Sequence, residues 1–449
     1  MGLRDILVIV IILLSVPVSL LNAYYGIVVW TWIAYFNPHR YVWGAARYGM
    51  FQPAMLIAIP TLLGTFFAPK NTRIWIRETV LLAALWVWIT FTTLYISIVP
   101  EFSGHVQDAY THLEEVSKIL LMTFVTILLV SSKTKLRWMV LVILGSFGIK
   151  ALFAAIFYLR TGGEFQIWGP EGSFLYDNND FALAMNMTIP LFFYMAQAEQ
   201  NRWVRIGLRG LMVAVAICVV GTYSRGGLLG LSAVTLTIVV KSRQKIIGLF
   251  LVFIAVMGIL TLTTIAWKDR MSEFLQGNFD KSAYSRLVAW TGGLNLAVQH
   301  PLTGGGFDVY TDEAVFPHYV PSTARGYLYG KNIHLHSSHS IYFQMLGEHG
   351  FVGLGLFLLL LWSCFMNMGR LRRQAFVYTD LEWVIPYTNM FQVTLIAYMI
   401  NGATLGRAYF DFFYQIVALV IVLRLLARRE LTATLLEVEP EETLATVAA

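Results

Sequence analysis

Six triplets of basic residues, one at every second connection between long apolar runs, constrain this chain more than any other feature. The runs lie near 5–36, 50–68, 78–99, 118–131, 138–158, 181–197, 206–222, 227–240, 246–266, 341–366, 386–401 and 411–427. Lys70, Arg73 and Arg77 occupy one connection, and Lys133, Lys135 and Arg137 the next but one. Arg202, Arg205 and Arg209, then Lys241, Arg243 and Lys245, then Arg370, Arg372 and Arg373, and last Arg424, Arg428 and Arg429 keep that spacing. With Arg4 they hold 19 of the 32 lysines and arginines. Basic residues gather on the cytoplasmic side of membrane helices. The alternation therefore predicts twelve crossings with both termini in the cytoplasm.

Composition agrees with an all-α, polytopic membrane fold. Hydrophobic residues make up 57% of the chain and charged residues 13%, and a hydrocarbon core takes about 20 apolar residues as a helix. The runs are continuous and do not alternate every second residue, which favours helices over a barrel. The first run lacks a small-residue cleavage site and reads as a retained first helix. Its 32 residues exceed one straight span, and Pro17 is the expected point of a break or kink, although the alternation demands an odd number of crossings there. Connections 37–49, 100–117, 159–180, 223–226, 267–340 and 402–410 then face the extracytoplasmic side. Residues 1–449 read as a single integral membrane domain, with 428–449 as a polar cytoplasmic tail. Cys218 and Cys364 fall inside apolar runs and define no disulfide or metal framework. Topology accounts for the net charge of +6, and no basic, aromatic-interleaved surface points to nucleic acid.

Ionisable residues within the spans are scarce, Lys150 being the one near a midplane, and no inverted repeat is visible. Both observations count against an ion-coupled transporter. The polar chemistry gathers instead at one membrane face, chiefly in the glycine-rich loop 267–340. An enzyme working at the interface on a lipid-anchored substrate fits that pattern.

Four patches carry the candidate chemistry. Tyr176–Ala182 opens a helix; Asn179 and Asp180 either cap it or orient a sugar hydroxyl. An aspartate pair could also hold a divalent cation, but no further ligand accompanies it, so no metal is expected. Thr222–Gly227 is a short turn in which Arg225 either snorkels or binds phosphate oxygens as a fork. Arg286 and Trp290 share a helix face, ahead of His300 and the run Gly304–Gly306, which permits close backbone approach. The last patch holds His334, His336 and His339 and runs into Gly347-Glu348-His349-Gly350. Ser337 or Ser338 is the expected N-cap, placing His339 in a first turn whose positive end keeps the ring neutral, as a general base requires. The bland alternative is three interfacial histidines without a shared role, and no Cys or nearby acid completes a zinc shell.

Together these patches resemble the O-antigen ligase family, within the group that includes O-antigen polymerases. The resemblance covers roughly residues 170–410. It rests on Ser224-Arg225-Gly226, on Arg286 with Trp290 and His300-Pro301-Leu302, and on His339 followed by Tyr342, Glu348, Gly350 and Gly353. Ser340 stands where many members have Asn. Residues 1–150 are similar to a region of exosortase-associated O-glycosylation ligases.

The resemblance implies a lipid-donor glycosyltransferase of GT-C-like architecture in a bacterial inner membrane, its active site facing the periplasm. It would move a polysaccharide from undecaprenyl diphosphate to lipid A-core, by direct inverting displacement and with no metal or cofactor. His339 would take the acceptor's proton while Arg225 and Arg286 clamp the diphosphate. Arg407, Arg325 and Lys331 would help hold anionic lipid. A protein O-oligosaccharyltransferase or an O-antigen polymerase would use the same type of donor, and a flippase is the non-enzymatic alternative.

Overall fold

Short polar residues start several helices as their chemistry dictates. Ser132 accepts a hydrogen bond from the N–H of Lys135 at 3.2 Å, and Asn201 from those of Trp203 and Val204 at 2.9 and 3.4 Å. Asp177 accepts from the N–H of Asn179 at 2.8 Å and of Asp180 at 3.4 Å. Each satisfies donors that a helix leaves open at its first turn.

The computed structural model describes residues 3–41, 52–241, 281–323 and 337–447. Among these residues there are thirteen α-helices and no strand. They are α1 (Leu3–Leu21), α2 (Ala23–Phe36), α3 (Pro53–Thr65), α4 (Arg77–Ile96), α5 (Val106–Leu129), α6 (Lys133–Arg160) and α7 (Asn178–Ala198). There follow α8 (Arg202–Gly221), α9 (Arg225–Lys241), α10 (Lys281–Gln299), α11 (Ile341–Ala375), α12 (Val384–Gly402) and α13 (Asp411–Val447). The expected span 246–266 lies outside the described residues.

Helices α4, α6, α7, α8 and α11 are long and apolar enough to cross a membrane, and α3 and most of α1 are apolar but shorter. Leu14 on α1, Phe153 on α6 and Leu236 on α9 are 65%, 65% and 55% exposed. Such bare apolar faces are lipid-facing surface in a helical membrane protein, since water would penalise patches of this size. Of these five spans the most enclosed is α7, packed by α8, α9 and α12. Asn186 on α7 donates to Gly227 O at 2.8 Å and to Asn401 Oδ1 at 3.0 Å, tying three helices with one buried amide.

Connections that the basic alternation assigns to one face contact each other. Lys133 pairs with Glu430, Arg424 with Glu78, and Arg137 with Glu199 at 2.7 Å on one side. On the other, His105 meets Asp312, Asn179 meets Ser224, and Asp180 meets Arg407.

Three segments acquire local detail. The first apolar run is two helices broken at Asn22, whose backbone is extended (φ −141°, ψ 93°), while Pro17 sits inside α1. Gly64 of α3 backs the break so closely that a Cβ there would lie 2.6 Å from Leu20 O. Within the connection 267–340, α10 carries Arg286 and Trp290 on a helix as expected, and two 3₁₀ turns follow it. Past Ala427 the chain continues as helix through Val447, so the polar segment extends α13.

Candidate active site

The first and second patches are fastened by one hydroxyl. Ser224 donates to Asn179 Oδ1 at 2.6 Å and accepts from Gly227 N–H at 2.9 Å, so it caps α9 while holding the start of α7. Asn179 thus meets another side chain, and the capping role expected of it falls to Asp177. The tight turn is made at Tyr223, whose φ of 53° is left-handed, and not at the glycines that follow. Gly226 and Gly230 instead let α9 approach α12: added Cβ atoms would lie 3.0 Å from Thr404 Oγ1 and 2.1 Å from the Asn401 amide nitrogen. Arg225, half-buried, opens α9 directly after Ser224.

The third and fourth patches are joined through Trp290. Its indole N–H donates to Ser338 O at 2.9 Å, and its ring stacks on Phe343 at 5.1 Å and 5°. Arg286, one turn earlier on α10, is thereby set beside the His339 segment. The expected cap is corrected here. Ser340 is the N-cap of α11, with extended backbone and no side-chain capping bond, so His339 precedes the helix. The residue adopts φ 48°, and Ser337 Oγ accepts from its N–H at 3.2 Å. Ser338 is diverted from capping by its own bond to Ser340 O at 3.0 Å. His339 is therefore aimed by a left-handed turn, uncommon and costly for a side-chain-bearing residue.

The glycine run has a structural task. Gly305 N–H donates to Gly347 O at 2.9 Å and Gly306 N–H to Glu348 O at 2.8 Å, while Phe351 N–H donates to Pro301 O at 2.9 Å. These bonds serve carbonyls and an amide freed where α11 kinks at Gly350 (φ 68°). The close approach is to protein backbone. The kink turns Glu348 toward the space in front of His339.

That space is a cavity of about 470 Å³ lined, among others, by Asn179, Asp180, Arg286, His339, Glu348 and Arg407. Asp180 accepts from Arg407. Burial works against the guanidinium charge, but the Asp180 carboxylate outweighs it and holds the Arg407 pKa above its ordinary value. Gln344 accepts from Ala408 N–H at 3.0 Å and donates to Glu348 at 3.4 Å, and Tyr409 donates to the other Glu348 oxygen. Asp177 is occupied with capping and Asp180 with Arg407, so the two do not form a paired cation site. Among the described residues no cluster of three His, Cys, Asp or Glu is arranged to hold a metal ion.

Of the sequence-derived candidates, the cavity gathers Asn179, Asp180, Arg286, His339 and Arg407. Arg225 is adjacent through the Ser224–Asn179 bond, but its side chain is not part of the lining. Arg325, Lys331, His334 and His336 lie outside the described residues. Sequence reasoning missed His112, Glu115, Asp308, Gln344 and Tyr409, which also line the cavity. A carboxylate within an apolar run marks Glu348; the other five carry no local signal.

A family model described as O-antigen ligase matches residues 210–358, the segment that supplies Arg286, His339 and Glu348. The chain carries an O-antigen ligase domain. Residues 3–200 match a family of unknown function, DUF5935. No curated protein matches the chain. The cavity is composite: His112, Asn179 and Asp180 come from the segment matched to the family of unknown function, Arg286, Asp308 and His339 from the segment matched to the O-antigen ligase model, and Arg407 and Tyr409 from beyond both.

Proposed function

We propose that this chain is a glycosyltransferase that moves a polysaccharide from undecaprenyl diphosphate to a lipid A-core sugar at the periplasmic face of a bacterial inner membrane. The observation carrying this reading is the presence of Arg286, Arg407 and His339 in one cavity formed by connections on a single face of the helix bundle, with Arg286 and His339 inside the segment matched to the O-antigen ligase model.

An acceptor hydroxyl oxygen attacks the anomeric carbon as the bond from that carbon to the phosphate oxygen breaks, inverting the configuration. The lipid diphosphate leaves as an anion, and the acceptor's proton passes to His339. Arg225 and Arg286 clamp the diphosphate, because a planar guanidinium matches phosphate oxygens two at a time, and Arg407 shares the cavity lining with Arg286. Charge placed in advance where it develops is the larger catalytic term in such a site. The leaving group is already good, so the scheme uses no metal, cofactor or nucleotide. Arg325 and Lys331 are assigned to anionic lipid.

Lipopolysaccharide gel profiling in cells lacking their own ligase, supplied with cognate glycan and core, tests the reading. Wild type should restore a ladder on lipid A-core, and a stably inserted His339→Ala should not. A well-expressed wild type that builds no ladder but lengthens lipid-linked glycan would replace ligase with polymerase. Glycan appearing on protein would replace it with an O-oligosaccharyltransferase. Transfer by purified protein in detergent separates all three from a flippase.

A further inference from the structure

Residues 101–112 dock on residues 300–319 through more polar contacts than docking requires. Tyr319 donates to Glu101, and His300 Nε2 lies 3.5 Å from the other Glu101 oxygen. His105 sets Nδ1 2.8 Å from Asp312 Oδ2 and Nε2 2.9 Å from Gly305 O. None of these groups lines the cavity. The remaining contact, between His112 Nδ1 and Asp308 Oδ2, is made inside it.

This contact has the geometry of an oriented imidazole. Asp308 holds Nδ1 and so leaves Nε2 as the outward nitrogen, and the ring lies against Phe307 at 5.9 Å and 22°. His112 remains 47% exposed, whereas Asp308 is 17% exposed. Asp308 also adopts a left-handed φ of 62°, a strained backbone that persists where surroundings demand it and gathers at functional sites.

The charges around the pair select its ligand. The carboxylates acting on His112 are those of Asp308, Glu348 and Glu115, while those acting on Arg407 are Asp180, Asp177 and Asp411. In the cavity Arg407 is taken up by Asp180, whereas His112 is held at Nδ1 by Asp308 and keeps Nε2 for a ligand, with the Glu348 and Glu115 side chains in the same lining. Carboxylates beside an imidazole disfavour a diphosphate there, whereas sugar hydroxyls donate to carboxylates and accept from an N–H. We propose that His112, oriented by Asp308, is a substrate-contacting residue whose Nε2 hydrogen-bonds a hydroxyl of a sugar ring. The segment matched to a family of unknown function would then supply the glycan-recognition wall of the O-antigen ligase cavity. This rests on the lipid-diphosphate reading above.

The test uses the full chain in lipid nanodiscs and the variant His112→Asn, whose amide reproduces the Nδ1 contact to Asp308 but has no atom at Nε2. Two ligands are compared by native mass spectrometry: bare undecaprenyl diphosphate, and undecaprenyl-diphosphate-linked glycan extracted from the source cells. Affinity for the bare lipid should stay within about twofold, while that for the glycan-bearing lipid should fall by about tenfold, as one charge-assisted hydrogen bond is lost. If glycan-lipid affinity is kept but the acceptor KM rises by about that factor, the contact is to the acceptor sugar. Asp308→Asn should move the same quantity less, and it substitutes for His112→Asn should that variant melt early. Equal weakening of both lipids overturns the proposal, as does a wild-type Tm with glycan-lipid affinity and acceptor KM both unchanged. A wild type that fails to bind even bare undecaprenyl diphosphate overturns the donor reading and this inference with it.

Discussion

Trp290 holds the His339 turn in place by donating its indole N–H to Ser338 O at 2.9 Å, from the same helix that carries Arg286. The base and the guanidinium of the proposed reaction are thus linked by one ring. Trp290→Phe keeps the stacking on Phe343 and removes the hydrogen bond, worth about 1 kcal/mol. Transfer should slow several-fold with little change in Tm; unchanged kinetics would show that the turn holds itself.

His339→Ala should insert and fold, bind lipid donor and transfer nothing, because the residue lies before α11 and caps no helix. Size-exclusion profiles and donor binding check the first part, and a gel ladder the second. A variant that aggregates would instead give His339 a structural role.

Arg225→Lys should lose most turnover, because an ammonium cannot reproduce the guanidinium fork. Kinetics of the purified variant decide this, and near-normal turnover would make Arg225 a snorkelling residue of the α9 start.

Asp180→Ala should destabilise the protein by about 2 kcal/mol. That is below the usual figure for breaking a buried pair, because Arg407 keeps a 34% exposed side chain that water can reach. Thermal melts report the loss, and the double variant Asp180→Ala/Arg407→Leu should recover part of it.

The His112–Asp308 pair gives a pH signature. The bond to Asp308 outweighs burial and raises the His112 pKa from 6.5 to about 9, with Glu348 and Glu115 adding to the effect. A raised folded-state pKa means the contribution is full below about pH 6.5 and fades as pH climbs through about 9. The Tm gap between wild type and His112→Ala should therefore narrow from pH 6 to about pH 10. A gap that widens with pH has the wrong sign for this pair.

Gly350→Ala should disrupt assembly by more than about 2 kcal/mol, since it combines a left-handed backbone with a Cβ 2.4 Å from Leu302 O. Loss of folded protein on detergent extraction is the readout, and a normal yield would mean the kink is dispensable.

What the sequence determined by itself was the alternation of apolar runs and basic triplets, and with it the expectation of which connections share a face. It also marked a helix start within Tyr176–Ala182, and the ordered motifs around Arg225, Arg286 and His339. Those features act within a few residues of chain, where hydropathy, charge and capping chemistry suffice. Only the tertiary structure decided that Asn22 breaks the first run, that Ser340 and not Ser337 or Ser338 caps α11, and that the glycine run serves a helix kink. It also decided the pairs that build the cavity. Asp180 meets Arg407 across 227 residues and His112 meets Asp308 across 196. Contacts at that separation are set by how helices pack, and no local pattern in a single chain encodes them.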